Sequence, residues 1–327
     1  MSESISRRGF MKEGLLVSAA AALSLEEQVL LAQAGQPGQP APEPPKKKPA
    51  PPAEPLPQGQ IGKLKLSRLI LGGNLIGGWA HARDLIYVSD LLKHYFTDDK
   101  VIETMAIAES FGINTINTHP NATAIIKRYW KEGGKIQWMA QGFPDETDHF
   151  DSLRKLADAG AHSIYIQGNV GDQLVKAGKF DLIEKAINFI RDNGLPAGIA
   201  GHELAVPMEC EKRGIPVDYY VKTLHTHDYF SSRRPNQTTE VISNREDNFW
   251  CSNPQETIAF MAKVQKPWIA YKVLAAGAIS PSEGFDYAFN NGADLILAGM
   301  FDFQISQDCR IARDVLRACK RTRPWRA

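Results

Sequence analysis

The stretch FDLIEKAINFIRDNGLPAGIAGH, residues 180–202, decides the fold class of this chain. Its first part is an amphipathic helical pattern that ends at Gly194, since glycine readily adopts the left-handed conformation that terminates helices. Its second part, from Pro196, is a short apolar run typical of a buried strand. A helix that stops at glycine just before such a strand is the repeating unit of an α/β protein with a parallel sheet.

The same unit recurs along the chain, and the count reaches eight strands and eight helices. Glycines stop several of the helices, at Gly112, Gly160, Gly194 and Gly292. The predicted strands cover residues 66–73, 113–119, 136–142, 162–168, 196–202, 218–225, 268–275 and 293–300. Eight units in about 265 residues predict a (β/α)8 TIM barrel. An open doubly wound sheet is the alternative, because periodicity does not show closure.

Residues 1–34 predict a twin-arginine signal peptide. SRRGFMK at residues 6–12 carries the paired arginines, an apolar run follows from Gly14 to Leu25, and Ala32–Ala34 is a small-x-small cleavage site. The apolar run is too short to span a bilayer, so we expect no transmembrane segment in the mature chain. The sequence thus predicts export by the twin-arginine machinery to the periplasm or beyond. An amphipathic N-terminal helix is the alternative.

Residues 35–59 form a predicted Pro-rich linker, and residues 60–327 the predicted barrel domain. Ten of the protein's 20 prolines lie in the linker, where they favour an extended chain. The formal net charge is +1, so no basic excess exists to bind nucleic acid. The C-terminal KRTRPWR is basic, but such a run is usually solvated.

Two stretches resemble the opening of the aldo/keto reductases: IGKLKLSRLILGGN at residues 61–74 and AESFGINTINT at residues 108–118. The resemblance implies a TIM barrel and NAD(P) bound near the last two strands. It also implies a catalytic tetrad, from which this chain departs. Asn117 stands where the family has its aspartate, Gln141 replaces the lysine and Gln167 the histidine. The standard tetrad is therefore missing from the sequence. Charged groups lower the pKa of a tyrosine acid, and the neutral amides at these positions cannot do so.

Polar side chains follow most of the predicted strands. In a TIM barrel the strand ends gather around one mouth, so these residues form the candidate site. Amides offer a donor and an acceptor in fixed geometry, which suits the paired hydroxyls of a sugar or polyol. The predicted substrate-binding residues are Asn74, Asn117, Gln141, Gln167, Asn169 and Asp302. Nearby aromatic residues favour a polar small-molecule pocket, with local packing of the rim as the alternative.

Two histidines lie two residues apart in LHTHDYF, residues 224–230. If the strand extends that far, His225 and His227 share one face. With Glu203 or His202 from the neighbouring strand, they would hold a divalent metal that keeps open positions for substrate. The alternative is that these imidazoles bond loop carbonyls or contact substrate directly.

Lys272 lies late in the seventh predicted strand, where a buried ammonium group is costly unless it is paired or used. We therefore predict Lys272, or His119 after the second strand, as the proton-transferring residue. A structural salt bridge of Lys272 is the alternative. Gly277 and Gly299 follow the last two strands, where the backbone could approach a cofactor phosphate; tight turns explain them equally well.

Three hypotheses follow for function. The first is an exported enzyme that moves a proton on a sugar or polyhydroxy carbonyl compound, as a lyase, epimerase or isomerase, with or without a divalent metal. The second is an aldo/keto reductase-like oxidoreductase that uses NAD(P) and a non-standard acid. The third is a non-catalytic binding protein on the same barrel.

Overall fold

The computed structural model describes residues 54–80, 85, 87–145, 147, 149–229, 232 and 251–327. The signal peptide and most of the linker predicted from the sequence therefore lie outside the described residues. Within the ranges given, no helix combines the length and apolar character needed to cross a bilayer.

Eight parallel strands close into a barrel, which confirms the predicted TIM barrel. Each barrel strand falls inside one of the predicted stretches. The strands are β3 (Leu69–Gly72), β4 (Thr115–Thr118), β5 (Gln137–Gly142), β6 (Ser163–Ile166), β7 (Ala197–Gly201), β8 (Tyr219–Thr223), β9 (Trp268–Tyr271) and β10 (Leu295–Ala298). Around the barrel they follow the order β10-β3-β4-β5-β6-β7-β8-β9.

Helices alternate with these strands. They are α1 (Val88–Tyr95), α2 (Asp98–Ser110), α3 (Thr123–Lys131), α4 (Asp151–Asp158), α5 (Gly168–Lys176), α6 (Phe180–Asp192), α7 (Ala205–Arg213), α8 (Pro254–Met261), α9 (Pro281–Asn290) and α10 (Asp302–Ala318). Short 3-10 turns cover Pro120–Ala122 and Ala275–Gly277. The glycines that were expected to stop helices do adopt positive φ, for example Gly194 at 74° and Gly292 at 99°.

An antiparallel hairpin covers the base of the barrel, where the strands begin. Its strands are β1 (Gln58–Ile61) and β2 (Leu64–Ser67), so ordered structure starts within the predicted linker. Ile61 and Leu66 of the hairpin pack into the core inside the barrel, together with Ile70, Tyr219 and Leu295. Alternation along each strand sends the intervening side chains outward to the helices.

The C-terminal tail is also part of the base, which corrects the expectation of a solvated charge run. Arg323 is 4% exposed and donates to the carboxylate of Asp294 at 2.6 Å. Arg321 donates to the same carboxylate at 3.1 Å. Trp325 lies between two guanidinium groups, of Arg68 at 3.7 Å and Arg321 at 3.5 Å. The tail is therefore held by buried charge pairs and by cation–π contacts.

Candidate functional site

A cavity of about 360 Å³ opens at the opposite end, where the barrel strands end. We call it the mouth cavity. Its lining is Gly73, Asn74, Trp79, Asn117, His119, Gln141, Phe143, Tyr165, Gln167, Gly168, Asn169, Val170, Gln173, Ala200, His202, Tyr271, Lys272 and Leu297. Alternation explains part of this lining: Met139, Ala200 and Ile269 belong to the core inside the barrel, so Gln141, His202 and Tyr271, two positions further, face the mouth.

Five of the six predicted substrate-binding residues lie in this wall: Asn74, Asn117, Gln141, Gln167 and Asn169. They differ in whether their side-chain oxygens are already hydrogen-bonded within the fold. Gln167 Oε1 caps helix α5 by accepting from the Val170 N–H at 3.1 Å. Asn169 Oδ1 is buried and has no partner among the described residues. Asn169 is therefore free to bond a ligand, whereas the oxygen of Gln167 is used by the fold.

Asn117 is the centre of a buried network rather than an open ligand contact. Only 2% of it is exposed, and its Nδ2 donates to the Met139 carbonyl at 3.0 Å. Its Oδ1 accepts from the Tyr165 hydroxyl at 3.0 Å and from Gln141 Nε2 at 3.3 Å. Burial raises the pKa of Tyr165, which therefore stays protonated as a donor. The network fixes these side chains in the cavity wall.

His202 forms a hydrogen-bonded pair with Asp172 that no sequence pattern indicated. His202 Nδ1 lies 2.7 Å from Asp172 Oδ2, and both side chains are buried. A carboxylate only accepts hydrogen bonds, so Nδ1 carries the proton and Nε2 keeps its lone pair. Burial, helped by the positive charges of Lys272 and Lys222, lowers the pKa of His202 to about 4 although Asp172 raises it. His202 is therefore neutral at pH 7.

Glycines bring the two partners together. A Cβ on Gly171 would lie 2.1 Å from the Ala200 carbonyl oxygen, so only glycine lets helix α5 pack this closely on β7. Asp172 then reaches the end of that strand, where it accepts the backbone N–H groups of His202 and Glu203 at 3.0 Å. Because three N–H donors converge on this carboxylate, the backbone of His202 among them, the His202 ring is held in one orientation.

Tyr271 faces His202 across the cavity floor, with ring centroids 5.4 Å apart. Its hydroxyl is buried and has no hydrogen-bond partner in the described part of the chain. Burial raises the pKa of Tyr271 well above its usual value, so the hydroxyl is a donor. A Cβ on Gly168 would lie 2.6 Å from this hydroxyl and 3.0 Å from His202 Cε1. Glycine at position 168 thus keeps the space between the two rings open.

Lys272, predicted as a late strand residue, lies just past the end of β9 with a φ of 56°. This left-handed conformation is unfavourable for a lysine and marks a constrained turn. Ala275 and Ala276 in the same turn also have positive φ. Lys272 lines the mouth cavity, and its positive charge acts on His202. The structure therefore places it near His202 but not in the strand position that was expected.

His119, the other predicted proton-transferring residue, belongs to an aromatic wall. Its ring lies 4.9 Å from Phe143 and 5.6 Å from Trp79. Its Nδ1 accepts the Asn121 N–H at 3.1 Å, so in the neutral ring Nε2 carries the proton. Neutral His119 can therefore donate a hydrogen bond from Nε2, whereas the Nδ1 lone pair is already used by the backbone.

The predicted metal site needs correction, because the imidazoles bond the backbone instead. Strand β8 ends at Thr223, so strand alternation does not extend to His225 and His227. His225 Nδ1 donates to the Thr226 carbonyl at 2.9 Å, and its Nε2 accepts the Cys251 N–H at 3.2 Å. His227 Nε2 bonds the Cys251 carbonyl. The pair fastens the Cys251 segment to the barrel.

The other predicted ligands do not complete a metal site either. His202 is paired with Asp172, and Glu203 is absent from the cavity lining. Across the described residues, no three His, Cys, Asp or Glu side chains are placed to hold a metal ion. The donor set predicted for a divalent metal thus does not fit one.

Asp302, the sixth predicted substrate-binding residue, also lies outside the mouth cavity. Its carboxylate accepts from the Tyr95 hydroxyl at 2.6 Å and from Lys100 Nζ at 3.2 Å. The aspartate begins helix α10, and these bonds fasten that helix to α1 and α2. Asp302 therefore has a structural position, which corrects the prediction of substrate contact.

A second cavity of about 320 Å³, the side cavity, adjoins the first. It lies between the loops after β9 and β10, where Gly277 and Gly299 were predicted to approach a cofactor, and both glycines line it. The two cavities share Asn74, Tyr271, Lys272 and Leu297. A ligand in the side cavity would thus lie beside the same tyrosine and lysine that face the mouth.

Comparisons with known proteins support the fold. Neither a scan against family models nor a search of curated protein sequences gives a match. Among solved structures, a putative aldo-keto reductase from Pseudomonas aeruginosa is similar with a TM-score of 0.53 and 16% identity, over 80% of this chain and 94% of that one. A second structure with that description gives 0.52 and 14%, over 79% and 95%. At such low identity the likeness shows the TIM-barrel fold alone.

Proposed function

We propose that this protein is an enzyme that moves a proton on a small polyhydroxy carbonyl compound, with His202 as the base. The observation that carries the proposal is the Asp172–His202 pair facing the Tyr271 hydroxyl across the cavity floor. An oriented base and an unpaired donor a few ångströms apart are the two groups that enolisation of a carbonyl compound requires.

The proposed reaction begins with the substrate carbonyl oxygen at the Tyr271 hydroxyl. His202 Nε2 takes the proton from the adjacent carbon, and the electron pair of that C–H bond moves toward the carbonyl oxygen. The resulting enediolate is stabilised by the Tyr271 O–H and by the positive charge of Lys272. Return of the proton from His202 to the former carbonyl carbon, with the neighbouring hydroxyl proton passing to the first oxygen, gives an isomer. Return to the original carbon gives an epimer when the intermediate presents its opposite face to His202. Expulsion of the hydroxyl group β to the carbonyl as water, with the proton that His202 holds, gives a dehydrated product.

The lining of the mouth cavity supports a polyhydroxy substrate. Asn74, Asn169 and Gln173 contribute amides to the lining, and Trp79 and Phe143 contribute aromatic rings. Amides bond vicinal hydroxyls, and aromatic faces pack on the C–H side of a sugar. Of the described lining residues, Lys272 is the only lysine, arginine, aspartate or glutamate. A cation in this lining would favour the anionic intermediate.

The test is incorporation of solvent deuterium. A panel of aldoses, ketoses and aldonic acids is incubated with the full chain in D2O, and the α-carbon is followed by NMR. The proposal expects exchange that is catalytic, stereospecific and insensitive to chelators. A protein that exchanges no member of the panel while binding some of them tightly would support a non-catalytic barrel instead.

A second candidate function is hydride transfer with NAD(P), which the side cavity favours. The cavity adjoins Tyr271 and Lys272, and its glycines allow close approach of a ligand to the backbone. Nicotinamide would supply the hydride, while Tyr271 would protonate the substrate oxygen. Binding of NADH or NADPH, measured by fluorescence, distinguishes this candidate from the first. Saturable binding, with consumption of the reduced nucleotide when a carbonyl compound is added, would favour it.

Export by the twin-arginine route completes the proposal. It rests on the SRRGFMK pattern at residues 6–12 and on the apolar run that follows. Replacing Arg7 and Arg8 together by lysine is expected to leave the protein in the cytoplasm of a host with a functional twin-arginine system. Equal export of the double variant would contradict it.

A further inference from the structure

The side cavity contains an ionisable group that neither candidate function uses. Asp308 lies in α10, is 3% exposed, and lines the side cavity but not the mouth cavity. Within the described part of the chain, no hydrogen bond or ion pair reaches its carboxyl group. Aspartate is almost never buried without a partner, because loss of water around the charge is costly. An unpaired carboxyl in a cavity wall therefore indicates that a ligand supplies the partner.

The other lining groups define the rest of that ligand. Most of the side cavity wall is apolar, and Leu75, Val273, Ile279 and Phe301 contribute to it. Its volume of about 320 Å³ suits one ring or a short chain. The ligand portion that fits here is therefore an apolar group with one polar end.

Charge decides which polar end fits. No arginine is among the described residues that line the side cavity, and Lys272 lies at the border shared with the mouth. A phosphate or carboxylate placed near Asp308 would meet like charge without a local cation. A protonated amine would instead form a charge-assisted hydrogen bond with the carboxylate, the stronger class of such bonds.

We propose that the side cavity binds an apolar arm of the substrate that ends in a protonated amine, and that Asp308 pairs with this ammonium group. Because the cavities share Asn74, Tyr271, Lys272 and Leu297, one molecule can reach both. Its hydroxylated carbonyl part lies against His202, and its arm lies against Asp308. This substrate class rests on the proposed function, whereas binding of the amine arm does not depend on turnover.

The experiment measures binding of three probes by calorimetry to the full chain, up to about 10 mM because ligands this small bind weakly. The probes are 2-phenylethylamine, 2-phenylethanol and 3-phenylpropionate, which share a ring and differ in the polar end. The amine is expected to bind at least about tenfold more tightly than the carboxylate. Asp308→Asn is expected to remove this preference. Asp314→Asn, a matched change at an exposed position of the same helix, is expected to keep it.

A second variant tests whether the amine binds in the side cavity and not elsewhere on the protein. Ala80→Phe adds bulk to a residue that lines only the side cavity and leaves Asp308 in place. It is expected to abolish amine binding. Amine binding retained in either Asp308→Asn or Ala80→Phe would overturn the proposal, as would equal binding of amine and carboxylate, or no amine binding at all.

The outcomes separate the two proposals. Amine binding without deuterium exchange would leave the side cavity site standing and remove the proposed reaction. Deuterium exchange without amine binding would support the proposed reaction and remove the side cavity site. A simple amine that lowers exchange of a substrate with an amino arm, but not of a plain sugar, would show that the arm belongs to the substrate. Inhibition of both alike would assign the site to a separate amine and overturn the substrate arm.

Discussion

The two ends of this barrel differ in how their buried polar groups are placed. At the base, Asp294 is fully buried and accepts from Arg321, Arg323 and the backbone N–H groups of Trp268 and Arg326. At the mouth, the Tyr271 hydroxyl and Asn169 Oδ1 are buried without partners among the described residues. Buried polar atoms are normally bonded, and the base has an exception of its own in Arg326 Nε. The exceptions at the mouth differ from it because both residues line a cavity, and our proposal is that a ligand completes their bonding.

The largest expected effect is at His202. His202→Gln removes the proposed base, and we expect deuterium exchange to fall by about 10³- to 10⁴-fold, as for loss of an oriented catalytic imidazole. Asp172→Asn keeps the imidazole but lets it turn, so a loss of about 10²-fold or more is expected. NMR exchange rates check both, with circular dichroism as the control for folding. Exchange at the wild-type rate in His202→Gln would remove the base assignment.

At the base the effect is on stability. Asp294→Asn leaves the buried Arg321 and Arg323 without their carboxylate, and breaking such a pair costs about 3 to 5 kcal/mol. For a domain of this size, Tm should fall on the order of 10 °C, as measured by calorimetry. Asp286→Asn at an exposed position is the control, with a change near zero. If both variants melt alike, the tail cluster does not stabilise the fold.

Two tyrosines on the mouth wall sharpen the comparison. Tyr165 bonds Asn117, whereas Tyr271 bonds no described residue. Tyr271→Phe is expected to lower kcat by about 10²-fold with little change in Tm, because its hydroxyl acts on the reaction and not on the fold. Tyr165→Phe is expected to lower stability by about 1 kcal/mol, with a smaller effect on kcat. A reversed pattern in steady-state kinetics and melting would contradict the assignment of the two hydroxyls.

The smallest expected effect concerns Asp308. Burial raises its pKa to about 6, so the folded state binds a proton more readily than the unfolded chain does. Stability is therefore lost as pH rises from about 4 to 6, and remains lower above that range. Asp308→Asn should flatten this dependence and stabilise the protein at pH 7 on the order of 1 kcal/mol. Urea titrations at several pH values measure it, and a destabilised variant would mean that Asp308 has a partner in the fold.

The sequence predicted those features that depend on local pattern. Strand–helix alternation and the glycines that stop helices predicted the barrel, and their position at the ends of predicted strands put Gln141 and Gln167 in the mouth. Prediction from strand alternation failed beyond the strand ends. Strand β8 ends at Thr223, so the side chains of His225 and His227 do not follow a period of two. Tyr271 was missed, although it is the residue of β9 that points inward. Lys272, which was predicted instead, lies one residue beyond the strand.

Contacts between distant residues could not be predicted from local pattern. Asp172 lies in a helix, 30 residues before His202, and reaches it because Gly171 and Gly201 permit close packing. The glycines were visible in the sequence, but nothing local linked them. Asp308 could not be predicted for the same reason. It is a polar residue on the buried face of a helix, and the cavity beside it is formed by residues that are distant in the sequence.

The central claim is that His202 is neutral, carries its proton on Nδ1 and therefore has the lone pair of the proposed base on Nε2. Two-bond proton–nitrogen correlation NMR of the histidine-labelled full chain measures this directly, with His202→Gln to assign the signal. We expect the Nδ1-protonated tautomer between pH 5 and 8 and a pKa of about 4. An Nε2-protonated ring, or a pKa near 6.5, would contradict the proposed base.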